Sequence, residues 1–125
     1  MAAPPFDALY GLEIETAGAD GATGTVPVTD GVRQPAGLVH GGVFASIAEA
    51  TTSMATWYAV QDLGLTAQGL SNQTSFLRPI TAGTVHAAGR ARHRGRSTWV
   101  WEFDITDDDE RLCALVRMTV AVRDA

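Results

Sequence analysis

Between Arg33 and Asp62 the chain carries one formally charged side chain, Glu49. From residue 40 to about residue 62, apolar side chains recur at Val43, Ile47, Ala50, Met54, Trp57 and Tyr58. This spacing of three and four predicts a long helix, with Gly64 as its stop. A helix with a single charge lacks the solvated face of an ordinary surface helix, so other parts of the structure have to wrap it. Its polar side is small: counting by three and four from Glu49 gives Gly42, Ala45, Ser46, Thr52, Ser53 and Thr56, side chains that let another backbone come close.

The rest of the chain alternates instead. Residues 10–16 and 22–29 are candidate strands joined by the turn AGADG, and residues 66–77 and 84–92 are two more, separated by Arg78-Pro79 and a turn at Ala82-Gly83. In STWVWEFDIT, Trp99, Trp101, Phe103 and Ile105 share one face while Thr98, Glu102 and Asp104 take the other, as a half-buried strand requires. After the acidic turn DDDE, residues Leu112, Ala114, Val116, Met118, Val120 and Val122 alternate with Arg117, Thr119 and Arg123. Two strands, one helix and four strands predict an α+β fold, in which an antiparallel sheet covers its apolar face with that one helix. No internal repeat breaks the order.

A length of 125 residues suits one domain spanning residues 1–125, and the 46% apolar and 18% charged composition is that of a globular protein. The net charge of −5 excludes a general nucleic-acid binder, even though Arg90, Arg92, Arg94 and Arg96 cluster within seven residues. The most apolar run, residues 38–60, approaches the length of a membrane span, but His40 and Glu49 interrupt it and no basic flank anchors it. With no secretory signal pattern at residues 1–11 and the lone Cys113 read as a buried strand residue, the expectation is a cytoplasmic protein that does not enter a membrane. His40, His86 and His93 lack metal-ligand spacing, so no metal is expected. There is also no GxSxG elbow for a serine hydrolase.

A lone carboxylate among small uncharged residues is costly unless it is solvated at an edge, hydrogen-bonded or used, and the Ser53 hydroxyl one turn on is a possible donor to it. His40-Gly41-Gly42 opens the helix, where N–H groups lack intrahelical partners and the dipole is positive. Paired glycines let a carbonyl oxygen approach those groups, or let a neighbour pack tightly. Gly41 and Glu49 are eight residues apart, about 12 Å of helical rise. If both act on one carbonyl, the carboxylate comes from a second subunit with its helix antiparallel to the first, giving two equivalent sites per twofold dimer.

The segment QPAGLVHGGVFASIAEATTSMAT resembles the signature of PaaI-like hot-dog thioesterases, the group that includes 4-hydroxybenzoyl-CoA thioesterases; NQTSFLRPITAG and GRSTW extend the likeness over nearly the whole chain. The resemblance implies a hot-dog fold, a sheet of five to six strands around the helix, and an acyl-CoA thioesterase that needs no cofactor because coenzyme A is part of its substrate. It implies that the Gly41 N–H forms an oxyanion hole and that Gln34 sits beside the thioester or positions water. Glu49 would be nucleophile or general base, held by Ser53, while His40 would serve as a base or fix the helix entry through its ring. Gly42, Asn72, Ser75 and Trp57 are the expected substrate contacts. Arg94, Arg96 and Ser97 are offered to the phosphates of coenzyme A, or else form a solvated hairpin end. Trp57, Met54 and Phe76 line an acyl pocket or belong to the core. The family pattern further implies a homodimer with composite sites, a homotetramer above it, and an aryl-CoA substrate of hydroxybenzoyl or phenylacetyl type. A hot-dog hydratase or dehydratase, or a non-catalytic acyl-CoA-binding protein, are the alternatives.

Overall fold

A computed structural model describes residues 3–125. A short helix α1 (Pro5–Leu9) precedes strands β1 (Glu13–Gly18) and β2 (Gly21–Pro27); the long helix α2 (Gly41–Val60) follows, and then β3 (Leu65–Phe76), β4 (Thr84–Arg94), β5 (Thr98–Thr106) and β6 (Leu112–Asp124). The six strands form one antiparallel sheet in the order β1-β2-β4-β5-β6-β3. Helix α2 packs against the sheet, touching both edge strands β1 and β3 as well as β6. This is the expected hot-dog arrangement. Gly64, in the left-handed conformation at φ 74°, ends the helical segment after a 3-10 turn over Gln61–Leu63.

Burial, more than propensity, holds α2 in place. Thr51, Thr52 and Val60 are β-branched and poor helix formers, yet they lie with Phe44, Ile47, Ala48, Ala55 and Thr56 on the buried face. Trp101, Phe103 and Ile105 of β5 and Met118 and Val120 of β6 meet that face, each full burial of such a side chain being worth roughly 1.5–3 kcal/mol. The Trp101 indole N–H donates to Thr56 Oγ1 at 3.0 Å, and the Thr56 hydroxyl donates to the Thr52 carbonyl at 2.7 Å. This tie connects helix and sheet without stranding a polar atom.

Three local expectations need correction. Residues 10–12 are not strand: Tyr10 caps α1, and β1 begins at Glu13, because Pro5 at the first helical position favours a helical turn there. The buried face of α2 is rotated from the predicted one, leaving Val43, Ala50 and Met54 half-buried and Trp57 and Tyr58 exposed. Small residues line the true contact because the sheet backbone must come close. Of the two places expected for Phe76, it does not take the core, at 60% exposure. Finally, Cys113 and Ala114 are both buried while Leu112 is exposed, so the alternation in β6 changes phase at its start. Cys113 itself is buried, as expected.

Candidate active site

A tight loop carries the chain into α2. Gln34 and Leu38 close a turn in which Gly37 adopts φ 91°, a conformation that glycine accepts freely. Arg33 donates to the Thr81 carbonyl and pairs with Asp30, while Val39 N–H donates to the Ile80 carbonyl. Gln34 Oε1 accepts from Ala36 N–H at 2.5 Å. The side-chain amide nitrogen of Gln34 makes no hydrogen bond among the described residues.

His40 is the helix cap: its Nδ1 accepts the Gly42 N–H at 2.9 Å. The sequence offered a base or a fixed helix entry, and the geometry has the ring doing the second. The cap leaves the Gly41 N–H, first in the helix, without an acceptor among the described residues. Substituting His40 with alanine should cost about 1 kcal/mol, measured as a lower midpoint in urea with an unchanged slope; no change would show that the cap contributes nothing.

Gly41 is glycine for a steric reason too. A Cβ at this position would stand 2.7 Å from Cε1 of Phe76, whose ring also packs beside Phe44 with centroids 6.4 Å apart. Beside it opens an apolar groove of about 560 Å³, lined by Leu38, Gly41, Phe44, Phe76 and Leu77 among others. The sequence named Phe76 without placing it against Gly41.

Glu49 is exposed and lies on the flank of α2 that faces β3. A Cβ on Gly69 would come within 3.6 Å of its Oε1, so the carboxylate sits over β3 next to the bulge between Gly69 and Ser71. Glu49 and Ser53 line one cleft of about 300 Å³ together with Ser46, Ala50, Phe6 and Asp7. No Ser53–Glu49 hydrogen bond forms among the described residues. Residues of α1 form the far wall of this cleft, and sequence reasoning missed them. The signal was the Pro-Pro pair opening PFDAL, which marks a helix start rather than a strand.

The remaining predicted residues are scattered. Asn72 donates from Nδ2 to the Ala45 carbonyl at 2.9 Å and accepts from Thr74, clamping β3 to α2. Ser75 is exposed on β3, and Trp57 packs on Tyr58 at the far end of the helix. Arg94 donates to the Ala19 carbonyl at 2.8 Å, while Arg96 and Ser97 are exposed at the β4–β5 hairpin. Neither Arg94 nor Arg96 lines either cleft. Among the described residues no His, Cys, Asp and Glu side chains group as a metal site, and no helix is long and apolar enough to cross a membrane.

Residues 36–114 match the thioesterase superfamily. The chain belongs to that family. It is similar to the solved structure of an esterase candidate from Mycobacterium tuberculosis, at 34% identity and TM-score 0.93, with 98% of each chain covered. It is also 36% identical over 113 residues to the 1,4-dihydroxy-2-naphthoyl-CoA hydrolase of Listeria monocytogenes, covering 90% of this chain and 91% of that one. A thioesterase from Staphylococcus aureus shares 28% identity at TM-score 0.90, covering 96% of this chain and 99% of its own; it has been solved with a glutamine replaced by alanine and, separately, with a glutamate replaced by alanine. The chain is therefore a PaaI-like hot-dog hydrolase of thioesters.

Proposed function

We propose that the protein hydrolyses an aryl-CoA thioester to the free acid and coenzyme A at a site composed from two subunits. Glu49 of one subunit is the nucleophile or general base, and the Gly41 N–H of the other stabilises the oxyanion. Gln34 stands beside the thioester, its free amide group available to the sulfur, the carbonyl or a water. The observation that carries this reading is the position of Glu49. It is the one carboxylate on α2, it borders a cleft, and it leans over Gly69 on an edge strand.

That edge supports the dimer. β3 runs for twelve residues with β6 on one side and no strand on the other among the described residues, and a long unpaired edge invites pairing with a second chain. Two β3 strands joined antiparallel would bring two α2 helices side by side, each Glu49 toward the other helix's start. The residues altered in the Staphylococcus aureus thioesterase give independent support: its glutamine and glutamate are fifteen positions apart, as are Gln34 and Glu49. The Listeria relative's name specifies an aromatic acyl-CoA, which favours an aryl substrate here. The reading needs no cofactor. Arg96, with no partner among the described residues, is offered to the coenzyme A phosphates together with Arg94 and Ser97; a homotetramer and a cytoplasmic location complete the proposal.

Subunit mixing tests the composite site. Glu49→Ala and Gln34→Ala subunits, each inactive alone, should regain thioester hydrolysis when unfolded and refolded together, because a mixed dimer holds one intact site. Thiol release that stays at the level of the separate variants would overturn the cross-subunit assignment.

A further inference from the structure

The Glu49 cleft holds a second carboxylate that the proposed hydrolysis leaves unused. Asp7, in α1, is only 8% exposed and lines the same cleft as Glu49. Its Oδ1 accepts the Tyr10 hydroxyl at 2.5 Å. Its Oδ2 has no donor among the described residues, yet it is not sealed off: the one fully enclosed side-chain polar atom without a partner is Thr51 Oγ1. A carboxylate on a residue nine-tenths buried, with one oxygen lacking a donor, is costly unless a donor arrives to complete it. Among the described residues the cleft supplies none of strength, because its other polar side chains are Ser46, Ser53 and the like-charged Glu49. The Tyr10 hydroxyl is pushed far above its ordinary value by burial, by its bond to Asp7 and by the charges of Asp7 and Glu49. Tyr10 therefore stays a neutral donor that fixes Asp7, and both carboxylates lie close enough for their charges to reach it.

We infer that Asp7, held by Tyr10, is a specificity-determining residue that accepts a hydrogen bond from a hydroxyl or amino substituent on the acyl group and repels acyl groups bearing a carboxylate. The inference rests on the thioesterase reading of the Glu49 cleft and extends it to the acyl group. Two anionic side chains with no cation between them among the described residues make the cleft selective by charge. A site built to accept a donor discriminates against the analogue that lacks it, because its own buried acceptor is then left unpaired.

The test is a series of aryl-CoA thioesters carrying hydroxyl, methoxy, no substituent or carboxyl at the meta or para position. For the native protein, kcat/KM for the hydroxyl ester should exceed that for its methyl ether by roughly tenfold or more at one of the two ring positions, with the carboxyl ester slowest. In Asp7→Asn, which preserves shape, that ratio should fall to within about threefold and the carboxyl ester should gain relative to the others. Equal slowing of every ester by Asp7→Asn would give Asp7 a merely structural role and overturn the inference. So would a native protein that treats hydroxyl and methoxy esters alike, a result that requires no variant. Binding of the matching non-hydrolysable CoA thioethers separates this inference from the function it rests on. A preserved hydroxyl preference in Kd without thiol release from any ester would refute the hydrolytic site alone. Flat Kd values beside active hydrolysis would refute the role of Asp7 alone.

Discussion

Replacing Glu49 with alanine is expected to lower thioester turnover by roughly three orders of magnitude while affinity for a CoA ester stays near that of the native protein. Removing a positioned base typically loses a factor of about 10² to 10⁴, and no other carboxylate on α2 can substitute. Asp7 shares the cleft but stands behind it, held by Tyr10. Affinity should survive if, as proposed, coenzyme A supplies most of the binding surface and Glu49 meets only the reacting carbonyl or its water. The split between kcat and binding is the informative reading: a fall in kcat with steady Kd marks a group that acts in the transition state. Stability should barely change, since Glu49 is exposed in the isolated chain and forms no ion pair among the described residues. Glu49→Gln should resemble the alanine variant, because an amide can neither attack the carbonyl nor take a proton from water. Hydrolysis at near-native rates by either variant would overturn the role of Glu49.

Much of this was legible in residue order, for physical reasons specific to each element. The strand faces of β5 could be read directly, because Trp99, Trp101, Phe103 and Ile105 are large, alternate strictly and all end up buried. The face of α2 could not. Its buried side is built of Ala and Thr as much as of Phe and Ile, and residues of such mixed polarity do not announce which way a helix turns. The small residues were recognised as a place of close approach, but Thr52 and Thr56 meet the chain's own sheet, while Ser46 and Ser53 border the open cleft. At the site, Glu49 stood out as the lone carboxylate of the helix and His40-Gly41-Gly42 as its opening, while Gln34 stood out only through the resemblance to the hot-dog thioesterases. Asp7 and Tyr10 did not, because an Asp in a five-residue helix and a Tyr capping it carry no pattern until the fold brings them beside Glu49.

Gly41→Ala should reduce turnover by about a hundredfold and lower stability by about 1–2 kcal/mol, and the two effects should separate on a second substitution. The added methyl would stand 2.7 Å from Cε1 and 2.9 Å from Cζ of Phe76, nearer than carbon atoms pack, so the ring has to swing aside. Because Phe76 is more than half exposed, it can do so, which keeps the cost at the low end for overpacking. In Gly41→Ala/Phe76→Ala the clash is gone, and the midpoint of thermal unfolding should return to that of Phe76→Ala alone. Turnover should not return with it. A methyl at Gly41 still fills the part of the groove through which a carbonyl oxygen must reach the free N–H, and a displacement near 1 Å there is enough to lose about a hundredfold. Recovery of both stability and turnover in the double variant would mean that the glycine exists only to accommodate Phe76, and the oxyanion role would have to move to another donor at the start of α2.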